Sequence, residues 1–360
     1  MKLFGDIRAK FEKWLIDDVL DGANVYTNTN ADSNDFIMRY GINQLCLLEM
    51  YDDVSQNFYG PDTAGFGFIA SPEGSANQNQ LEVLKQLADE LKDGFGLQIS
   101  SIYGDPKMIV SVTYDVAFSD DENVAKMDEV KSAMKALLMT AFNVANFTAD
   151  DYVLYVSKLC KPVYFWQAPS LSYQDDFFIR DQIAFDEEID VKKSHIDFDD
   201  DVVMTALGVQ QYFSQDIDHV DIQAYLDFLD RKDFSVDAND VFCFTLGVYK
   251  PNAKAKKGGS NYADGLKRKP YVYHTALYFQ KSNDDNDEKI EALKQKIRLY
   301  DYRMNVVKNK QLAAVVFSLP MSLSAQMIED VFSLRLAKNV ESLSLNDIFP
   351  LLCNASASSK

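Results

Sequence analysis

The stretch Gly65–Gln98, GFGFIASPEGSANQNQLEVLKQLADELKDGFGLQ, decides how the rest of the chain is read. Gly65 and Gly67 flank phenylalanines in a short apolar run, and Pro72 with Gly74 supply the turn that ends it. Asn77 stands where an N-cap is wanted, with Gln80 at the third helical position. Leu81, Leu84, Leu87, Ala88 and Leu91 then recur at three- and four-residue steps, and Gly94 sits at the left-handed C-cap. The segment therefore predicts strand, turn, amphipathic helix and strand. Its glycines fall inside a strand pattern and not between a strand and a helix, so they are read as allowing a bend or a close backbone approach, not as a phosphate cradle.

Working outward, Ile42–Tyr51 reads as a strand with Thr63–Ile69 as its hairpin partner. Leu97–Tyr103 and Met108–Val116 follow as strands, the second alternating as IVSVTYDV. Met127, Val130, Met134, Leu137, Leu138, Ala141 and Ala145 predict one long helical face, with a strand at Tyr152–Leu159. Residues 161–200, rich in Pro, Tyr, Phe and acids, read as a crossover, with Lys192–Phe198 a short strand and Ile217–Leu229 a helix. The same order then returns. Asp240–Tyr249 and Tyr271–Gln280 are predicted strands, Asp287–Val307 a helix, Gln311–Leu319 a strand, and Ser322 or Ser324 a cap for a helix reaching Lys338. The expected fold is α+β, with two ferredoxin-like β-β-α-β units whose helices pack on mainly antiparallel sheets. The expected organisation is a helix and linker at 1–35, a first unit at 36–160, the crossover at 161–235, a second unit at 236–352 and a disordered tail at 353–360.

The 55 acidic and 36 basic residues give a net charge of −19 over 360 residues. Phosphate binding runs on Lys and Arg, so no direct nucleic-acid contact is expected. Cys46, Cys160, Cys243 and Cys353 are widely spaced without a CxxC, which points to buried free thiols in a reducing, cytoplasmic setting. Asn28, Asn30 and Asp32 alternate as calcium ligands do, but Ser33 replaces the turn glycine and Arg39 the bidentate Glu. The row Asp197, Asp199 and Asp201 fails the same test at Val202 and Gly208, and reads as a solvated strand edge. There is no GxxxxGK[ST] loop and no GxSxG elbow, and none of His195, His219 and His274 has a metal-like partner at i+4. No catalytic, cofactor-binding or metal-ligating constellation is read from the residues.

Two stretches are candidate partner contacts. Residues 3–19 set Phe4, Phe11 and Trp14 on an apolar helical face, which either packs on its own domain or docks on a partner or membrane surface. Lys254, Lys256, Lys257, Lys267, Arg268 and Lys269 concentrate positive charge between two predicted strands, as a solvated tip or as a finger for an acidic partner.

The opening stretch, with its Gly-Phe strand, Ser-Pro-x-Gly turn and LKDGFGLQ, resembles the N-terminal region of TraC-type pilus-assembly ATPases of conjugative type IV secretion systems. So does Tyr271–Leu352, with FSLPMSL, DVFSLRLAKN and SLNDIFPLL. The resemblance covers roughly 120 to 150 residues. It implies a non-catalytic structural and interaction domain, peripheral at the inner membrane, that docks on membrane secretion subunits and on copies of itself. It also implies that ATP and Mg are used only by a motor domain this chain lacks. The alternatives are a stand-alone cytosolic adaptor and an enzyme with a dispersed site, for which His274 or His195 beside acids in a deep polar pocket would speak.

Overall fold

The computed structural model describes residues 48–60, 63–72, 78–92, 94–115, 121–186, 189–199, 201–209, 240–249, 271–281, 286–298, 304–307, 311–322 and 337–339. The elements in chain order are β1 (Met50–Asp52), β2 (Asn57–Tyr59), β3 (Thr63–Pro72), α1 (Gln78–Asp89), β4 (Phe95–Ile102), β5 (Met108–Asp115), α2 (Asp121–Leu138), β6 (Phe142–Asn146) and α3 (Ala149–Cys160). They continue with β7 (Ile189–Val191), β8 (Ile196–Phe198), β9 (Val202–Val209), β10 (Val241–Tyr249), β11 (Tyr271–Lys281), α4 (Asn286–Arg298), β12 (Met304–Val306), α5 (Gln311–Ser318) and β13 (Ala337–Asn339).

All the described strands join one antiparallel sheet. Its order is β1-β2-β3-β5-β4-β10-β11-β9-β8-β7, with β6 on β3, β12 on β9 and β13 on β11. The alternation read in the sequence sends alternate side chains to two faces. On one face Phe66, Phe68, Leu97, Val110, Val112, Phe244 and Leu246 lie under α1 and α2, whose Leu84, Leu87, Met127 and Leu138 close that core. The other face packs against α3 and α5 through Tyr152, Val156, Leu159, Ala314 and Val315. The two halves meet where β4 pairs β10, from Cys243↔Ile102 to Tyr249↔Gly96. The mixed α and β character and the antiparallel sheet match the expectation.

Several predicted elements differ. The helix expected over Asp287–Val307 ends at Arg298, and its last part is the strand β12. Where a helix was expected to reach Lys338, Ala337–Asn339 form β13. β1 pairs β2 and not β3, so β2 takes the place expected for Ile42–Tyr51 as the partner of β3. Tyr152–Leu159 was expected as a strand and is the helix α3. The β-prone residues yield to a capping box, in which Thr148 Oγ1 accepts from the Asp151 amide and the Asp151 carboxylate accepts from the Thr148 amide. Burial of Tyr152, Val153, Tyr155, Val156, Leu159 and Cys160 then follows helical spacing. The strand of this region is β6, inside the predicted long helix, which ends at Leu138; Ala145 belongs to β6 and pairs Ile69. Gln311–Leu319 is likewise a helix, α5. The buried Gln311 side chain fixes its start by accepting from the Ala206 amide at 2.5 Å and donating to the Val307 carbonyl at 2.7 Å. The predicted helices at 3–19 and 217–229, the cap at Ser324 and the strand residues 42–47 lie outside the described residues.

After α5 the chain turns across the sheet. Residues 318–322, SLPMS, lie on a seam of small and polar residues that crosses the α3/α5 face. Gln98 Nε2 donates to the Phe317 and Leu319 carbonyls at 3.2 and 3.0 Å and lies 3.1 Å from Ser322 Oγ, while Gln98 Oε1 accepts from the Ser322 amide at 3.0 Å. Thr275 pairs Ser318 at 3.1 Å, and the Met321 amide donates to Ser111 Oγ at 3.3 Å. Met321 holds a φ of 58°, which costs an L residue about 1 kcal/mol. Its thioether fills the notch over Gly65, where a Cβ would stand 3.0 Å from Sδ and 2.7 Å from the Val112 carbonyl oxygen. Gly67 makes room for Phe147, 2.9 Å from where its own Cβ would be. The close approach expected of these two glycines is what the structure has.

Candidate functional site

The loop from 173 to 184, placed by the sequence reading in a crossover, is tied down along its length. The Tyr173 amide donates to the Asp150 carboxylate at 2.6 Å, in the first turn of α3. Gln182 acts as an internal clamp. Its Oε1 accepts from the Gln174 amide at 2.7 Å, and its Nε2 donates to the Gln174 and Phe177 carbonyls at 2.9 and 3.0 Å. Farther on, the Ile179 amide donates to the Glu49 carbonyl at 2.9 Å, Ile179 is fully buried, and the Ala184 amide donates to Ser157 Oγ at 2.9 Å. An exposed loop with this many fixed backbone groups has little conformational freedom left to lose on binding.

What this frame presents is apolar. Phe177 is 58% exposed, Phe178 44% and Met50, at the start of β1, 42%. The Arg180 guanidinium lies 5.1 Å from the Phe178 ring and pairs Glu49 at 2.8 Å, which joins the loop to β1. Tyr51 and Tyr173 meet edge to face at 6.4 Å, which ties β1 to the start of the loop. Single exposed apolar side chains need no explanation, but a pinned aromatic pair beside an exposed methionine is an unusual surface.

The surround is acidic. Asp52, Asp53, Asp175, Asp176 and Asp181 are exposed, and nearby cations are already engaged, Arg180 by Glu49 and Asp181 and Lys131 by Asp128. The field shows in the tyrosines. Burial first, then Asp53, Asp151 and Asp52, push the Tyr51 hydroxyl up to about 12. Burial first, then Asp175, raise Tyr173. The Ser55 hydroxyl and the Val54 amide hold Asp52 below the usual carboxylate range, so it stays charged as it closes the β1–β2 turn.

The residues singled out in the sequence do not come together here. Phe4, Phe11, Trp14, Lys254, Lys256, Lys257, Lys267, Arg268 and Lys269 lie outside the described residues, as does His219, and the His274 side chain is not described. His195 does stand beside an acid, but on the β7–β8 hairpin and not in a deep pocket. Its Nδ1 is 3.0 Å from Ser194 Oγ and its Nε2 3.5 Å from Asp197, which Lys192 also engages. All of these side chains are at least partly exposed. Among the described residues no group of three or more His, Cys, Asp or Glu is placed to hold a metal ion. Sequence reasoning missed the loop; its signal was the Phe177–Phe178 pair directly after Asp175–Asp176.

No family model matches the sequence, and no curated protein matches it. Solved structures that align include berberine bridge enzyme from Eschscholzia californica (9% identity, 66% of this chain, 41% of that one, TM-score 0.28). Glucooligosaccharide oxidase from Acremonium strictum, described with a 6-S-cysteinyl, 8α-N1-histidyl FAD, aligns at 10% identity over 80% of this chain and 57% of that one, with a TM-score of 0.32. CrmK, a flavoenzyme of caerulomycin biosynthesis, aligns at 8% identity over 72% and 50%, with a TM-score of 0.31. The chain spans about half the length of these proteins or less.

The resemblance to a TraC-type secretion ATPase is corrected by these findings, because the aligned structures are oxidoreductases and no family model supports it. With it go the docking role in conjugation and pilus assembly, the reading of the chain as a non-enzyme, and the expectation of no cofactor. At these TM-scores the likeness carries no argument for a flavin in this chain. The two described cysteines are not placed for covalent attachment. Cys160 and Cys243 are 0% and 1% exposed, and burial pushes the Cys243 thiol well above its usual range. Iodoacetamide is therefore expected to label these two at least about a thousandfold more slowly in the native protein than in urea, as opening requires much of the global unfolding energy. Mass-spectrometric mapping of the labelled peptides checks this.

Proposed function

We propose that this chain is a protein-binding module, and that the 173–182 loop with the start of β1 docks a basic segment of a partner protein carrying one or two apolar anchors. The observation that carries the reading is the rigid display of Phe177 and Phe178 inside an acidic rim. Exposed aromatics on a pinned backbone offer large contact area for little ordering entropy, and the rim favours Lys and Arg on the incoming chain. Apolar anchors would seat against the rings while the flanking cations meet Asp53, Asp175 and Asp176. Steering by this field weakens as salt screens it.

The fold suits a scaffold of this kind, and within this proposal each half is read as a ferredoxin-like unit. Supporting that reading, β3, α1, β4, β5, α2 and β6 follow one another along the chain and lie in the sheet as β6-β3-β5-β4. The second half has the equivalent order β12-β9-β11-β10. The joined sheet holds β1 and α3 at fixed positions, and these two elements carry the loop.

A fluorescein-labelled 20-residue peptide of Lys and Arg with one Tyr and two Leu, and its Glu/Asp counterpart, test the proposal by anisotropy against the full chain. The basic peptide is expected to bind in low salt and the acidic one not to bind. The double substitution Phe177→Ser, Phe178→Ser is expected to weaken binding by about tenfold. Equal binding of both peptides, or unaltered binding by the double variant, would overturn the reading.

A further inference from the structure

Resting on that reading, we infer that the partner is a second copy of this chain, which inserts its residues 250–269 into the acidic aromatic surface. That segment, KPNAKAKKGGSNYADGLKRK, carries Lys250, Lys254, Lys256, Lys257, Lys267, Arg268 and Lys269 against a single acid, Asp264. Tyr262 and Leu266 lie among them. In a chain of net charge −19 it is the most concentrated positive stretch, and its chemistry is the complement of the rim. Its two ends are held side by side, because Tyr249 pairs Tyr271 in the β10–β11 register. At no more than about 3.4 Å per residue, a segment of this length tied at both ends can reach up to about 30 Å from the sheet, enough to meet another molecule. Phe177 and Phe178 are exposed, and the inferred docking runs between copies; docking within one chain would leave the wild type monomeric, which the test below reads.

Donor segment and acceptor surface are different parts of the chain, so the contact is heterologous. It generates rings or open head-to-tail oligomers, not a two-fold dimer. Two variants test this: an acceptor reversal (Asp53→Lys, Asp175→Lys, Asp176→Lys) and a donor reversal (Lys254→Glu, Lys256→Glu, Lys257→Glu, Lys267→Glu, Lys269→Glu). Sedimentation velocity in low salt at about 0.1 mM is the readout. The wild type is expected to self-associate and to dissociate as salt rises, and each variant alone is expected to remain monomeric. An equimolar mixture should give a one-to-one complex, since one wild-type donor and one wild-type acceptor survive, and a chain carrying both reversals should associate again. Circular dichroism confirms that each variant is folded. A monomeric wild type, a single variant that associates like the wild type, or a mixture that stays monomeric would each overturn the inference. If the basic peptide still binds in that case, the docking surface stands and only its partner is wrong.

Discussion

Gln98→Ala is expected to destabilise the fold by about 3–5 kcal/mol, a large part of the 5–15 kcal/mol that holds a typical domain together. Gln98 is 1% exposed, and its amide serves two carbonyls, a hydroxyl and a backbone amide of residues 317–322. Removing it leaves the Phe317 and Leu319 carbonyls and the Ser322 amide without this partner in a buried place, where each lost partner costs about 1–3 kcal/mol, and it opens a cavity as well. Solvent entering the seam would offset part of the sum. Gln98→Leu separates the two contributions, since it keeps most of the volume and loses every hydrogen bond. Urea denaturation checks both. A loss below 1 kcal/mol for either variant would mean that the 318–322 turn is held by Met321 and Ser318 alone. A loss near 4 kcal/mol for alanine and near 3 for leucine would assign most of the effect to the amide.

The Gln98 result bears on how much of the molecule could be read beforehand. The strands β3, β4, β10 and β11 were legible as short β-prone apolar runs, β5 by its alternation, and α1 because its leucines recur at helical steps between a turn and Gly94. What misled the reading was hydrogen bonding by single polar side chains, which the apolar pattern does not show. Tyr152–Leu159 has strand-forming residues, yet the four-residue box at Thr148 and the apolar face it starts decide for a helix. Gln311–Leu319 is apolar enough for a strand, and a single glutamine reaching 105 residues back to Ala206 sets it as a helix. The 173–182 loop was invisible for the same reason. Gln182 looks like any surface glutamine until its carbonyl and amine are seen clamping Gln174 and Phe177, and only that clamp turns an exposed Phe pair into a fixed surface. The SLPMS motif was noticed as a family resemblance, whereas its residues serve this chain as a strap over its own sheet.

Gly65→Ala is the second substitution with a large expected effect, and the sign depends on what surrounds the added methyl group. Replacing a strand glycine by alanine should by itself stabilise by about 0.4–1 kcal/mol, through the unfolded chain. At Gly65 that gain is overrun. The new Cβ would lie 2.7 Å from the Val112 carbonyl oxygen, a backbone atom of the paired strand β5, and 3.0 Å from Met321 Sδ. The side chain can retreat but the carbonyl cannot, unless the β3–β5 ladder spreads, and overpacking of this kind costs about 1–3 kcal/mol or more. A net loss of roughly 2 kcal/mol is expected, together with displacement of Met321, whose left-handed backbone is kept in place by the notch it fills. Gly67→Ala makes the comparison. Its contact at 2.9 Å is with the Phe147 side chain, but the Phe147 amide donates to the Gly67 carbonyl, so the ring has little room to withdraw. The expected order of stability is wild type, then Gly67→Ala, then Gly65→Ala. Gly65→Ala should also be rescued in part by Met321→Ala, which vacates the thioether's place but leaves the carbonyl contact. Thermal unfolding of the wild type, Gly65→Ala, Met321→Ala and the double variant measures that coupling. Strict additivity of the two substitutions would show that Met321 does not sit in the notch.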